Sequence, residues 1–290
     1  MELETFKDQV WELAKNGATQ QELEDFVGMF YSHKPISYYE IEAGRFIARG
    51  RYNENGEIFC NKDQLSYIKD DLSKVKPGRA NFSGQPVFYA AIPHDSTYSN
   101  TISTIMMEVA LNSIHNFQTS REYFTVGRWR VKKPLTVAVL PFSATNLDRN
   151  PSMSAMREYY NNYLIKQFGH HPANQYFLDS LEYISDLFCR YDNRDISYQI
   201  CAAFFNAICK MFSKDNTAID GIVYPSANTY NAGINIALNT KSVDEKLELD
   251  WVQMIAMQRN PSNPYDLFFG HASDEQFPDV SGNFCFKNVF

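Results

Sequence analysis

The sequence has no Cys-x-x-Cys pair, no Gly-x-Gly-x-x-Gly loop and no apolar stretch long enough to span a bilayer. The first absence removes the common zinc-ribbon and redox-motif readings. The second removes a familiar phosphate-binding fingerprint, and the third a membrane helix. Basic charge is also short: 27 Lys and Arg face 34 Asp and Glu, a net charge of −7. A general nucleic-acid binder needs a basic surface that displaces counterions, so no direct nucleic-acid partner is expected. A local cationic pocket made by a few arginines stays open. The five cysteines, Cys60, Cys189, Cys201, Cys209 and Cys285, are odd in number and do not suggest a disulfide scaffold. They read as reduced, buried thiols, and the expected compartment is the cytoplasm. The N-terminus lacks the charged and apolar regions of a signal peptide. His170 and His171 are adjacent and have no partner at ligand spacing, so no metal is expected.

Aromatic residues are abundant, with 22 Phe and 18 Tyr, and the hydrophobic fraction is 44%. Such a chain can bury a sizeable core. Phe6, Val10, Leu13 and Ala14 recur at helical spacing, and Thr19-Gln-Gln-Glu22 has the form of a capping box. These features predict a two-helix N-terminal cap over residues 1–35. Strands are expected at 44–52, 86–91, 123–129, 135–140, 219–224 and 233–238. Helices are expected at 101–114, 154–168, 174–190 and 197–213, with a short one within 63–73. Residues 247–257 fit either a strand or a helix, residues 148–155 a loop, and the tail from Asn260 surface loops. The pattern suggests an α+β fold.

One residue stands out before any comparison. Glu108 lies on a helix whose Ile102, Ile105, Met106, Val109 and Ala110 form an apolar stripe. A carboxylate beside such a stripe costs desolvation energy unless something pairs with it.

Three ordered segments carry a resemblance. The first is Gly78-Arg79-Ala80-Asn81, followed by Gly84-Gln-Pro-Val-Phe-Tyr89. The second is Glu108, and the third is Gly221-Ile-Val-Tyr-Pro-Ser226-Ala with Asn235 downstream. Together they resemble the RES (Arg-Glu-Ser) domain family, and the Arg45–Arg51 stretch resembles that family's opening strand. The match spans roughly residues 41–240. Two departures are visible: Ala80 stands where the family usually has an aromatic, and the stretch between Glu108 and Ser226 is long.

The resemblance implies an ADP-ribosyltransferase-like mixed β core. The RES domain would cover 36–245, with a helical insertion at about 150–215 and a C-terminal extension at 246–290. It also implies cleavage of the nicotinamide–ribose bond of NAD⁺, with water or inorganic phosphate as acceptor. NAD⁺ is then substrate rather than cofactor, and the chain resembles a toxin restrained by an antitoxin partner. A homo-oligomer is compatible with the sequence. The alternatives are ADP-ribosyl transfer to a macromolecule and a non-catalytic binding module on the same scaffold.

The chemistry suits these residue types. Bond cleavage develops positive charge on the ribose, which a carboxylate such as Glu108 can stabilise. Arg79 offers phosphate a planar fork of donors, and Arg49 or Arg51 could add a second clamp. Tyr89 could stack on nicotinamide or bond a ribose. Asn81 belongs to the arginine motif, and Asn235 could orient a loop or contact substrate. Ser226 reads as a hydrogen-bond donor to phosphate or ribose, because no His-Asp arrangement accompanies it as a nucleophile would need.

Overall fold

A computed structural model describes residues 1–93, 98–109, 121–140, 151–190, 194–211, 218–229, 232–260 and 262–287. Helix α1 (Leu3–Lys15) buries Phe6, Val10 and Ala14, one residue per turn. Helix α2 (Gln20–Tyr31) begins with the expected reciprocal capping box between Thr19 and Glu22. The described strands are β1 (Tyr38–Ile41), β2 (Phe46–Tyr52), β3 (Phe88–Ala91), β4 (Arg121–Val131), β5 (Leu135–Val139), β6 (Gly221–Pro225), β7 (Ile234–Leu238), β8 (Leu247–Asn260) and β9 (Asn263–His271). Helix α3 (Tyr98–Val109) follows β3. Helices α4 (Pro151–Phe168), α5 (Ala173–Cys189) and α6 (Arg194–Met211) lie between β5 and β6, and α7 (Thr240–Lys246) precedes β8.

The fold is a mixed α+β arrangement. One sheet carries the strands in the order β1-β5-β6-β7-β3-β2-β4-β8-β9. Only β5 and β6 pair in parallel among the described strands, and three described helices separate them in sequence. A parallel pair needs such a crossover connection. Strands β6 and β7 are buried along their whole length, which explains their unbroken apolar sequence. Alternation is visible on β5. Ala138, and Leu140 just past the strand end, face the helical layer, while Val137 and Val139 enter the core on the other side.

The N-terminal helices and α4–α6 share one core. Phe6 stacks on Phe30 at 3.8 Å between ring centres, and the hydroxyl of Tyr31 donates to the carbonyl of Ser180 at 2.7 Å. Glu24 of α2 is buried beside α6. It accepts from Gln20 and from Asn206, each at 2.7 Å, and pairs with Lys210. Phe6→Ala is therefore expected to cost about 3–5 kcal/mol in urea unfolding, the usual cost of emptying a buried Phe site. A change below about 1 kcal/mol would show that the N-terminal pair is a separate appendage.

Several expectations need correction. The stretch at 63–73 holds two single 3₁₀ turns, Lys62–Leu65 and Leu72–Lys74, each started by a side-chain cap from Asn61 or Asp71. Residues 151–153, read as loop, begin α4, because Pro151 is tolerated at a helix start. The ambiguous segment after 247 is strand β8, paired with β4 from Leu247 to Gln258. The tail is not all loop, since β9 forms the sheet edge beyond it. Residues 110–114 of the helix expected at 101–114 lie outside the described residues, as do residues 148–150. Of the five cysteines expected to be buried, Cys201 is; Cys189 and Cys209 are half-buried, and Cys60 and Cys285 are exposed. No described helix is long and apolar enough to cross a membrane.

Candidate active site

The sheet is weakest at its middle. Strands β2 and β3 pair at one register position, Ala48 with Ala91, whereas β2 and β4 pair from Phe46 to Tyr52. A cavity of about 250 Å³ lies at this junction, lined by residues of both strands and of α3. Its wall includes Arg49, Arg79, Tyr89, Glu108, Tyr198, Tyr224 and Asn235.

Helix α3 reaches this position because two glycines let it approach. A Cβ on Gly50 would lie 2.3 Å from Cγ2 of Ile105, and one on Gly233 would lie 2.3 Å from Oγ1 of Thr104. Both contacts are far inside ordinary packing distance, so only glycine admits the helix there. Ile105 and Met106 enter a core with Phe124, Val126 and Trp251. One turn after Thr104, Glu108 meets the segment that follows β6.

That segment is a pinned turn. The amide of Ser226 donates to Gly233 O at 2.8 Å, and Thr229 closes the turn on Ser226 O. The turn delivers two side chains to the same carboxylate. The hydroxyl of Ser226 donates to Oε1 of Glu108 at 2.6 Å, and Nδ2 of Asn228 donates to Oε2 at 2.6 Å. Asn235 stands across from Tyr224 on β7, and its Nδ2 donates to Oε1 at 2.7 Å. Glu108 makes no ion pair among the described residues. Three neutral donors thus orient the carboxylate without cancelling its charge, which leaves its field for a cation in the cavity.

The arginines divide. Arg79 donates to the carbonyls of Leu187 and Arg190 at 3.2 and 2.8 Å, where α5 ends, and its guanidinium lies 5.1 Å from the ring centre of Tyr198. It therefore caps a helix end and still borders the cavity. Arg49 spends its fork on three carbonyls: Leu65 at 3.1 Å, Tyr89 at 2.7 Å and Ser66 at 3.2 Å. Burial, helped by the neighbouring Arg51, pulls its pKa down to about 10, so it stays charged at neutral pH. Arg51 points elsewhere, donating to Gln64 O with its guanidinium 4.6 Å from the Phe59 ring centre.

The other expected residues have internal partners. The Tyr89 hydroxyl accepts from the Ala80 amide at 2.8 Å and donates to Oδ1 of Asn81 at 2.7 Å. Burial pushes that phenol well above its usual range. Asn81 is buried outside the cavity wall, where it also donates to Lys76 O and Phe82 O and holds the motif loop. Ser226 is fully buried with its hydroxyl donating to Glu108, so in this structure it touches the carboxylate and no solvent. The structure therefore brings Glu108, Ser226 and Asn235 into one network. It sets Arg79, Arg49 and the Tyr89 ring around the same cavity, and leaves Arg51 and Asn81 outside it.

Two cavity residues, Tyr198 and Tyr224, and one donor to Glu108, Asn228, escaped the sequence reading. Tyr224 is a buried strand residue whose hydroxyl makes no hydrogen bond among the described residues. Tyr198 sits on α6, where an aromatic at helical spacing reads as core. Asn228 follows Ser226 by two residues in a turn, where Asn is too common to signal a role. Among the described residues, no group of three or more His, Cys, Asp or Glu could hold a metal. No protein-family model matches the chain, and no curated protein matches it.

Proposed function

We propose that this chain is an NAD⁺-degrading enzyme that cleaves the nicotinamide–ribose bond, with water or inorganic phosphate as acceptor. The observation that carries the reading is the Glu108 carboxylate, which has no ion-pair partner among the described residues and is held by three neutral donors at the wall of a cavity. In that reaction nicotinamide leaves with the bonding electron pair, and positive charge grows on the ribose ring. Glu108 stabilises that charge and accepts a ribose hydroxyl on Oε2. The acceptor then attacks the anomeric carbon, and a water acceptor releases its proton.

A volume of about 250 Å³ is near the lower limit of small-molecule sites, which run from roughly 300 to 1,000 Å³. It suits a nucleoside-sized fragment such as nicotinamide riboside. Tyr198 and Tyr224 supply aromatic walls for that fragment, and Arg79 supplies positive charge at its border. The resemblance to RES domains supports the same reading through Arg79, Glu108 and Ser226. The sheet that opens between β2 and β3 is in keeping with an ADP-ribosyltransferase-like core.

The test is incubation of purified protein with NAD⁺, with and without phosphate, following free nicotinamide. Release in both conditions identifies a glycohydrolase, and release that needs phosphate identifies a phosphorylase. Label transferred from NAD⁺ to protein or nucleic acid would instead identify an ADP-ribosyltransferase. Folded protein that releases no nicotinamide would reject the proposal. The antitoxin partner belongs to the same proposal, and co-purification of a protein that stops nicotinamide release is its test.

A further inference from the structure

We infer that Asn228 is a positioning residue that leaves one direction of Glu108 Oε2 free for substrate. The inference rests on the proposed nicotinamide–ribose cleavage. Each carboxylate oxygen accepts along two lone-pair directions. On Oε1 both are taken, by Ser226 and by Asn235. On Oε2 one is taken, by Asn228 at 2.6 Å, and among the described residues one stays open. The working oxygen is therefore Oε2, and Asn228 decides how it faces the cavity.

The last torsion of a Glu side chain is intrinsically broad, so its rotamer preference does not fix the carboxylate plane. Partners on both oxygens do. Asn228 comes from a different element, the turn Ala227–Thr229, whose backbone is closed by Thr229 N to Ser226 O and Ala232 N to Thr229 O. That turn holds the amide still. Unlike an arginine or lysine at the same place, the neutral amide orients Glu108 without drawing off its charge.

Three variants test this, each followed by nicotinamide release and by thermal unfolding. Asn228→Ala removes the donor and is expected to lower kcat about 10- to 100-fold with KM nearly unchanged, because misdirecting a reacting group costs rate rather than binding. Asn228→Asp keeps the size and replaces the donor with a like charge, so it is expected to lose more than the alanine variant. Asn228→Gln keeps an amide donor and is expected to recover part of the alanine loss. All three should unfold near the wild-type temperature.

Asp at wild-type kcat, or Gln no better than Ala, would overturn the positioning role while leaving the reaction intact. A rise in KM matching the whole loss would overturn it as well, by making Asn228 a binding group. A wild-type protein that releases no nicotinamide would remove the underlying reaction, and the inference with it.

Discussion

Glu108→Gln is expected to lower kcat for nicotinamide release by about 1,000-fold, with little change in KM and in unfolding temperature. The substitution keeps the shape of the side chain and removes its charge. Ser226 and Asn235 can still donate to the remaining carbonyl oxygen. The amide that replaces Oε2 would face the Nδ2 donor of Asn228, so some local repulsion is added. The rate loss follows from the state of the wild-type carboxylate. No cation forms an ion pair with it among the described residues, so its field is available to charge that develops in the cavity. Such an interaction grows between ground state and transition state, which is the condition for a kcat effect. A Glu108→Gln protein with wild-type kcat would place the stabilising charge elsewhere.

Arg49→Met is expected to destabilise the fold by roughly 2–4 kcal/mol in urea unfolding. The guanidinium satisfies the carbonyls of Leu65, Ser66 and Tyr89 at once, and so ties the loop before residue 67 to both central strands. Methionine fills similar volume and leaves all three acceptors without that partner. Arg49→Lys should fall between the two, because one ammonium cannot reproduce the planar fork. The outcome separates two roles that sequence alone leaves together. A structural latch loses stability. A phosphate clamp would keep stability and raise KM for NAD⁺, and that result would restore Arg49 to substrate binding.

Much of the local structure could be read from residue patterns. The Thr19–Glu22 capping box and the Phe6, Val10, Ala14 stripe each depend on a few neighbours, and both formed as spaced. Strand β9 had no such signal, because Pro264 and Asp266 are poor strand formers. Its pairing comes from the neighbouring β8 edge. The same division runs through the site. Glu108 could be singled out because a carboxylate beside an apolar stripe is locally anomalous. Arg49 could not be separated from Arg51 by sequence, since they differ only in which carbonyls lie within reach after folding. Tyr198 and Tyr224 reach the cavity from two distant segments, and only the closed sheet and the docked α6 show that they meet.

The donors of Glu108 lie 118, 120 and 127 residues further along the chain. Synthesis proceeds from the N-terminus at about 5–20 residues per second, so Glu108 leaves the ribosome roughly 6–25 s ahead of Asn235. Over that interval the growing polypeptide carries the carboxylate without the groups that aim it. A chain cut short before the turn at 227–229 would lack two of the three donors that aim Glu108, whatever helices it had already formed. Under the proposed reaction, turnover would begin only once synthesis has passed Asn235 and the chain has folded around it.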